Sequence, residues 1–263
     1  MKRIISLVLI LGLVLGAFPL ALAEQQTRTF TDSVGRVVEL PMAVERIAPS
    51  GKMAHIVLYA LAPEKFVCLS NAWTKQAETF FPKQMLELPV VGQFYGESTL
   101  NMEELAAANP DVIIDIGEKK KSVAEDMDSV QSQLGIPTVF IEANTANMGE
   151  CYRLLGELLG MPDEAKALSD YCEEIYGRTL SLADQMKDGK KKLLYCLGEN
   201  GQNVIAKGSY HAEVIDMLSD NLAEIENPSS KAFGDPVDME QLLSWEADVI
   251  LFAPEVSYEE LSS

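Results

Sequence analysis

The sequence predicts an α/β protein made of two parallel-sheet lobes joined by one long helix. Short apolar runs alternate with helix-length stretches, which is typical of a parallel sheet covered by helices. A stretch of helical periodicity at residues 162–187 divides this alternation into two series. A helix–strand segment of the first series, NMEELAAANPDVII (residues 101–114), returns in the second as DMEQLLSWEADVIL (residues 238–251). This internal repeat indicates two related halves.

Composition excludes several classes of function. The 263 residues are 48% hydrophobic and 23% charged, so the chain can bury a core. Acidic residues outnumber basic ones 40 to 21, for a net charge of −19, and we therefore expect no nucleic-acid partner. Two histidines and four cysteines without a CxxC pair give no metal-ligand pattern, so no metal site is assigned.

The first 23 residues are typical of a secretory signal peptide. Lys2 and Arg3 precede an apolar run, and Ala21-Leu22-Ala23 is a small-residue cleavage site. We therefore expect an exported protein, on the periplasmic or extracellular face of the membrane, cleaved after Ala23. An uncleaved membrane anchor is the alternative, because nearly 20 apolar residues are about enough to span a bilayer.

The first lobe is predicted at residues 24–160 and opens with a small hairpin at TFTDSVGRVVELP (residues 29–41). Nearly continuous apolar runs predict strands covered on both faces at residues 46–48, 65–69, 111–116 and 138–142. Helices are predicted at residues 52–61, 102–108, 122–134 and 148–159. The four cysteines lie in apolar contexts, which favours buried thiols, although an exported protein could also pair them in three ways.

The connecting helix is predicted at residues 161–188, with Pro162 in its first turn and Asp188-Gly189 at its end. At about 1.5 Å per residue it would be near 40 Å long, enough to cross from one lobe to the other. The second lobe, residues 189–263, has predicted strands at 192–197, 203–206 and 248–252 and a helix at 209–219.

The repeated segment places one carboxylate in the same position of each half. Asn101 and Asp238 are good helix N-caps, so Glu103 and Glu240 fall in first helical turns. Carboxylates there compensate the helix dipole, which is one interpretation of both residues. The other is a pair of exposed acidic residues that a partner with two basic pockets would recognise.

Candidate ligand-binding residues follow the predicted strands, because ligands of open α/β sheets bind at the carboxyl ends of strands. Gly and Ser beside a helix start offer backbone N–H groups, Trp and Tyr offer flat apolar faces, and Lys would neutralise an anionic ligand. The candidates are Ser50, Gly51, Lys52, Trp73, Tyr95, Gly117, Lys207, Ser209 and Tyr210.

Three segments in this order resemble the solute-binding proteins that serve importers of ferric siderophores, haem and cobalamin. They are TFTDSVGRVVELP leading into ERIAPSGKMAHIVLYALAPEKFVCLS, then GQFYGESTLNMEELAAANPDVIIDIG, and finally DMEQLLSWEADVILFAP. The resemblance covers residues 29–254 and implies the class III periplasmic-binding fold, with ligand in the cleft between two lobes. It also implies that Glu103 and Glu240 engage arginines of the membrane permease.

The resemblance predicts a monomeric, non-catalytic receptor whose partners are ABC importer permease subunits and a small-molecule metal chelate. An iron chelate of siderophore or haem type is the leading ligand class; a cobalamin or corrinoid ligand is the alternative within the same fold. Two departures bear on this. Leu61-Ala62-Pro63 replaces the usual Leu-Gly-Ala, and family members continue well beyond a segment like DVILFAP. We therefore expect an incomplete, weaker second lobe, and a truncated interaction protein without ligand affinity is a further alternative.

An enzyme is the competing class, because parallel α/β sheets often carry nucleotide chemistry. No GxGxxG and no GxxxxGK[ST] occur in the sequence, and GENGQN (residues 198–203) has the spacing of neither phosphate loop. No Ser-His-Asp order stands out. We therefore expect no catalytic activity and no cofactor.

Overall fold

The computed structural model describes residues 26–94, 99–198, 200–229 and 232–253. The strands are β1 (Thr27–Thr31), β2 (Val37–Pro41), β3 (Ile47–Pro49), β4 (Val112–Gly117), β5 (Thr138–Glu142), β6 (Lys192–Leu197), β7 (Asn203–Val204), β8 (Asp220–Asn221), β9 (Asp235–Pro236) and β10 (Val249–Phe252). The α-helices are α1 (Lys52–Leu61), α2 (Lys83–Leu86), α3 (Met102–Ala108), α4 (Val123–Leu134), α5 (Met148–Leu159), α6 (Pro162–Gln185), α7 (Glu213–Leu218) and α8 (Met239–Ser244). Short 3₁₀ turns lie at Pro63–Lys65, Ala77–Thr79, Lys187–Gly189 and Tyr210–Ala212.

The predicted hairpin is confirmed as β1 and β2, which pair antiparallel with Phe30 opposite Val38. The Asp32 carboxylate closes the turn, since it accepts hydrogen bonds from the amides of Val34 (3.0 Å) and Arg36 (2.9 Å). Gly35 follows with φ +84°, a conformation that favours glycine.

The first sheet is a parallel three-stranded sheet in the order β3-β4-β5, covered on both faces. Alternate residues of β4 point to opposite sides. Val112 and Ile114 share one buried cluster with Leu58 of α1 and Leu155 of α5. Ile113 joins a second cluster in which Leu105 of α3 and residues of α4 take part. The continuous apolar character of this strand therefore reflects burial on both faces.

The connecting helix is α6, whose 24 residues span about 36 Å at 1.5 Å per residue. Its first half packs on α5. Arg153 of α5 donates to Ser169 Oγ of α6 (2.9 Å) and pairs with Glu173 of α6 and, at 2.7 Å, with Glu150. Together with the close approach of Gly156 to Ala165, these contacts fix the start of α6 to the first sheet region.

The second sheet has the order β10-β6-β7-β9, with β8 also paired to β6. Both β10 and β8 run parallel to β6, whereas β7 pairs antiparallel with β6 and β9. The sheet is therefore mixed, because the short β7 returns directly after β6 without a helical crossover. Its core is small and includes Leu194, Cys196, Val204 and Ala223.

The repeated sequence folds into the same unit twice. The helix–strand pairs α3–β4 and α8–β10 start from capping residues Asn101 and Asp238, whose side chains accept hydrogen bonds from first-turn amides. Both helices are followed by a residue with positive φ, Asn109 (48°) and Glu246 (46°), at equivalent positions of the repeat.

The strand pairing also repeats. Asp111 anchors the chain ahead of β3 by accepting from the Arg46 amide (2.9 Å), and Asp248 accepts from the Lys192 amide (3.1 Å) ahead of β6. In consequence β4 pairs with β3, and β10 with β6, in the same parallel register. This agreement of backbone detail supports the interpretation of the sequence as an internal repeat.

Most predicted elements are confirmed, with two corrections. The predicted strand at residues 65–69 is wrong: Lys65 ends a 3₁₀ turn, and only isolated bridges form, Ile47 with Phe66 and Leu69 with Val90. The Lys65 ammonium instead donates to the Val44 carbonyl (2.8 Å) and Glu45 (2.9 Å). The predicted helix at 209–219 is divided into a 3₁₀ turn and α7.

The remaining sequence predictions concern the chain ends, the lobes and the thiols. The signal peptide (residues 1–23) lies outside the described residues, and the lobe boundaries 24–160, 161–188 and 189–263 stay predictions. Within the described part of the chain, no helix combines the length and apolar character needed to cross a membrane. All four cysteines are free thiols, three of them buried and Cys172 half-buried.

Candidate functional site

A cavity of about 130 Å³ lies at the carboxyl end of β4, between the first sheet and the chain that follows β7. We call it the cleft cavity. Its walls come from both halves of the molecule: Asp115, Gly117, Glu118 and Lys120 on one side and Tyr210 and His211 on the other. The site therefore lies where ligands of open α/β sheets bind, with a second wall facing the strand ends.

The floor of the cleft cavity is a buried polar pair. Ser50, at the end of β3, is 1% exposed and donates its hydroxyl to the Asp115 carboxylate, which is 7% exposed. Burial raises the pKa of Asp115, although the Ser50 hydrogen bond and the positive charge of Lys120 oppose that rise. Burial thus favours the neutral carboxyl, which can both donate and accept a hydrogen bond.

The opposite wall is Tyr210, which bridges the two halves. Its hydroxyl donates to the Ala143 carbonyl, directly after β5, at 2.6 Å. Burial, followed by the negative charges of Glu213 and Glu118, raises the pKa of Tyr210 to about 12, so the phenol stays protonated and keeps this hydrogen bond at neutral pH.

A second bond crosses between the halves nearby. The Thr145 amide donates to the Glu213 carboxylate at the start of α7, at 2.7 Å. Tyr210 and Glu213 therefore form two cross-cleft contacts on the same loop, residues 143–145, which follows β5.

The predicted residues around the end of β3 lie beside the cavity. The Ser50 carbonyl accepts from the Phe94 amide at 2.9 Å, and Gly51 is the N-cap of α1 without a side-chain capping bond. Lys52 is exposed at the first position of α1. Tyr95 lies outside the described residues.

Trp73 belongs to an aromatic cluster. Its ring stacks on Phe81 with centroids 4.0 Å apart and meets the His55 ring at 4.3 Å. Within the described residues, Trp73 Nε1 and His55 Nε2 are buried without a hydrogen-bond partner. Burial lowers the pKa of His55 to about 4, so His55 is neutral at pH 7. This arrangement gives Trp73 a packing role, and its contact with ligand stays a prediction.

Lys207 and Ser209, also predicted to bind ligand, are engaged within the second sheet region. The Lys207 ammonium lies 3.4 Å from Asp220 and 3.7 Å from Glu224. The Ser209 amide donates to the Ala206 carbonyl at 3.1 Å, so its N–H is already satisfied. The structure thus places Gly117 and Tyr210 on the cavity wall and puts Ser50 beneath it.

Sequence reasoning missed Asp115 as a wall residue. The sequence could have indicated Asp115, because burying a carboxylate inside the apolar strand DVIIDI costs free energy unless the carboxylate has a hydrogen-bond partner. Such a residue is therefore a candidate for a functional site. Glu118 follows Gly117 at the end of the same strand, where the strand-end rule also points, and His211 is the chain neighbour of the candidate Tyr210.

The two carboxylates Glu103 and Glu240 are both exposed in the first turns of α3 and α8. The Glu103 amide donates to the Asn101 side chain at 3.1 Å, which fixes the helix start. Among the described residues, no group of three or more His, Cys, Asp or Glu side chains is placed to hold a metal ion.

Comparison with known proteins gives one family. The model of the periplasmic binding protein family matches residues 57–261, which is more than half of the chain. The search of curated protein sequences found no match.

Solved structures of periplasmic and solute-binding proteins are similar to this chain in fold. An ABC transporter solute binding protein from Sulfurospirillum deleyianum matches with TM-score 0.77 and 22% identity over 87% of this chain and 72% of that one. A periplasmic solute binding protein from Veillonella parvula matches with TM-score 0.65 and 25% identity over 88% and 70%. The periplasmic heme-binding protein RhuT from Roseiflexus matches with TM-score 0.59 and 16% identity over 81% and 78%.

Proposed function

Because the chain belongs to the periplasmic binding protein family, as its sequence predicted, we propose that it captures a metal chelate outside the cytoplasm and delivers it to an ABC importer. Proteins of this family are exported and bind solutes rather than transform them. An iron chelate of siderophore or haem type is the ligand class we favour. The similar fold of RhuT, a heme-binding protein, supports this choice.

The observation that carries this proposal is the cleft cavity. It lies at the carboxyl end of a parallel strand and takes walls from both halves of a repeated α/β architecture. A ligand held there would contact the Gly117 side and the Tyr210 side together. Binding would therefore fix the separation of the two halves, which is the signal that an importer needs to tell loaded from empty receptor.

The volume of the cleft cavity determines how the ligand enters. About 130 Å³ is smaller than the roughly 300–1,000 Å³ of sites for drug-sized molecules, and siderophores and haem are at least that large. Entry of a chelate therefore requires the halves to move apart. That movement breaks the Tyr210–Ala143 and Glu213–Thr145 hydrogen bonds, which together oppose opening by about 1–3 kcal/mol.

Glu103 and Glu240 are the proposed docking residues for the permease. Both are exposed carboxylates in the first turn of equivalent helices, and each helix begins at a capped N-terminus. Exposed charges on capped helix starts suit recognition by basic pockets, because little backbone ordering is required.

Ligand binding is tested by titrating the protein with haemin, cobalamin, a ferric catecholate and a ferric hydroxamate, using isothermal calorimetry. We expect saturable one-to-one binding of an iron chelate, weakened by Tyr210→Ala. Phe80→Ala is the control, because Phe80 is an 81% exposed aromatic residue outside the cleft cavity. Binding of none of the four compounds would contradict the proposed ligand class.

Docking is tested by transport into cells or vesicles that contain the cognate importer. Glu103→Arg combined with Glu240→Arg should abolish uptake and leave chelate affinity unchanged. Glu104→Arg, one residue along the same exposed turn, is the control and should transport normally. Loss of affinity in the double variant would assign these residues to binding instead of docking.

A further inference from the structure

A second and larger cavity lies away from the cleft, at the junction of three helices. Its volume is about 450 Å³, and it is an open depression bordered by the start of α5, one face of α6 and α7. Met148 contributes from α5, Tyr171, Cys172 and Ile175 from α6, and Val214 and Leu218 from α7. We call it the helix cavity. Its size falls within the range of small-molecule sites, whereas the cleft cavity does not.

The lining of the helix cavity is apolar and uncharged. Among the residues that the structure describes, those that line it include no Asp, Glu, Lys, Arg or His, although the net charge of the chain is −19. Its polar atoms are hydroxyl groups of Thr and Tyr and the Cys172 thiol, and the Thr179 hydroxyl already donates to the Ile175 carbonyl at 2.8 Å. Such a wall offers no ion-pair partner, so a charged ligand would lose hydration without compensation.

The apolar side chains of this wall are open to solvent. Tyr171 is 64% exposed and Val214 52%, while Ile175 and Leu218 are each 39% exposed. Scattered exposed apolar residues are ordinary, but four that converge on one concave surface are typical of a binding site. Methionine and cysteine sulfur atoms beside two tyrosines add an adaptable surface that suits aromatic or aliphatic groups.

We propose that the helix cavity is a second binding site, separate from the cleft, for a neutral and largely apolar small molecule. The occupant would contact Met148 and Thr145 of the first half, the connecting helix α6, and α7 of the second half. The Thr145 amide also makes the hydrogen bond to Glu213, so the site borders one of the cross-cleft contacts. Its filling would therefore add apolar contacts between the halves near that bond.

The experiment uses N-phenyl-1-naphthylamine, a neutral dye that fluoresces in apolar surroundings. We expect a saturable fluorescence increase with one dye per chain. Val214→Glu should weaken dye binding by at least about tenfold, because it places a carboxylate in an uncharged apolar wall. Ile56→Glu is the matched control: Ile56 is also a β-branched helical residue, is 67% exposed, and lies on α1 outside the cavity.

The Cys172 thiol gives a second measurement that needs no substitution. Cys68, Cys151 and Cys196 are buried, so maleimide should label Cys172 first. Bound dye should slow that labelling several-fold, as measured by mass spectrometry of the Cys172 peptide. The labelling experiment tests the proposed site even if the Val214→Glu variant does not fold.

Three outcomes would overturn the proposal. The first is absence of saturable dye binding in the wild-type protein. The second is equal dye affinity of Val214→Glu and Ile56→Glu together with unprotected Cys172. The third is one dye per two chains with a dimer in size-exclusion chromatography, which would make the surface an interface between copies. None of these outcomes depends on chelate binding in the cleft.

Discussion

The α3–β4 unit and the α8–β10 unit share their backbone hydrogen bonds but differ in burial. Ile113 of β4 is fully buried, whereas Ile250, its equivalent in β10, is 48% exposed. In the described chain, β4 lies between β3 and β5, while β10 has β6 as its strand neighbour. The comparison indicates that capping and anchoring hydrogen bonds determine the shape of the helix–strand unit. The neighbouring strands and helices that bury it contribute most of its stability.

The largest expected difference between the units comes from truncating their equivalent isoleucines. Ile113→Ala should lower the free energy of unfolding by about 2–5 kcal/mol, because it leaves a cavity between two helical layers. Ile250→Ala should cost less than about 1 kcal/mol. Urea unfolding followed by tryptophan fluorescence measures both, with Trp73 reporting on the first half and Trp245 on the second. Equal losses would mean that β10 is covered in solution.

The second-largest difference between the halves should be in how their stability depends on pH. The pKa of His55 in the folded protein is about 4, below its ordinary 6.5, so its contribution to stability is present above pH 6.5 and is lost as pH falls towards 4. The loss is of the order of 3 kcal/mol. His55→Phe should remove this pH dependence from the Trp73 unfolding signal. His211→Phe, at an exposed position, is the control and should retain it.

The contacts between the halves should show a smaller effect. Tyr210→Phe and Glu213→Ala each remove one cross-cleft hydrogen bond, worth about 0.5–1.5 kcal/mol. Glu213→Ala should speed hydrogen exchange of the Thr145 amide about three- to tenfold, measured by NMR or mass spectrometry. Glu224→Ala, which removes a surface carboxylate beside Lys207, is the control. Unchanged exchange in Glu213→Ala would show that this bond does not hold the halves together.

The smallest expected change in stability comes from substitutions at the positive-φ residue that follows each of these helices. Asn109 tolerates the left-handed conformation better than Glu246, because a short polar side chain can hydrogen-bond locally. Glu246→Asn should therefore stabilise the second half by roughly 0.5–1 kcal/mol. Asn109→Glu should destabilise the first half by a similar amount. A Glu246→Asn variant that unfolds earlier, followed by Trp245 fluorescence, would contradict this interpretation of the repeat.

Much of the fold followed from sequence because local and global signals agreed. The predicted bounds of α1, α3, α5 and β5 match the structure, since helical periodicity or a continuous apolar run marked each of them and the Asn101 cap also marked the start of α3. The strand predicted at 65–69 did not form because Pro63 starts a tight turn and the Lys65 ammonium pairs with the Val44 carbonyl and the Glu45 carboxylate, which an apolar run alone does not show. The two-residue strands β8 and β9 were missed because their polar residues carry no period-2 signal.

The candidate site was less predictable than the fold. Gly117 and Tyr210, chosen as ligand-binding candidates from the strand-end rule, line the cleft cavity because topology fixes where strands end, and their contact with ligand stays a prediction. The same rule could not show that Lys207 pairs with Asp220, or that Trp73 stacks on Phe81. Those choices depend on which side chains tertiary packing brings into reach, and the sequence positions involved are well separated.

The length of α6 makes it a lever. Arg153 fixes its first half to α5, so a tilt of the remaining length displaces the C-terminal end of the helix. From Glu173 to Gln185 the helix rises about 18 Å, so a tilt of about 10° displaces that end by about 3 Å, slightly more than the length of either cross-cleft hydrogen bond. A small change in helix angle near residue 173 would therefore be enough to break the cross-cleft hydrogen bonds and open the cleft.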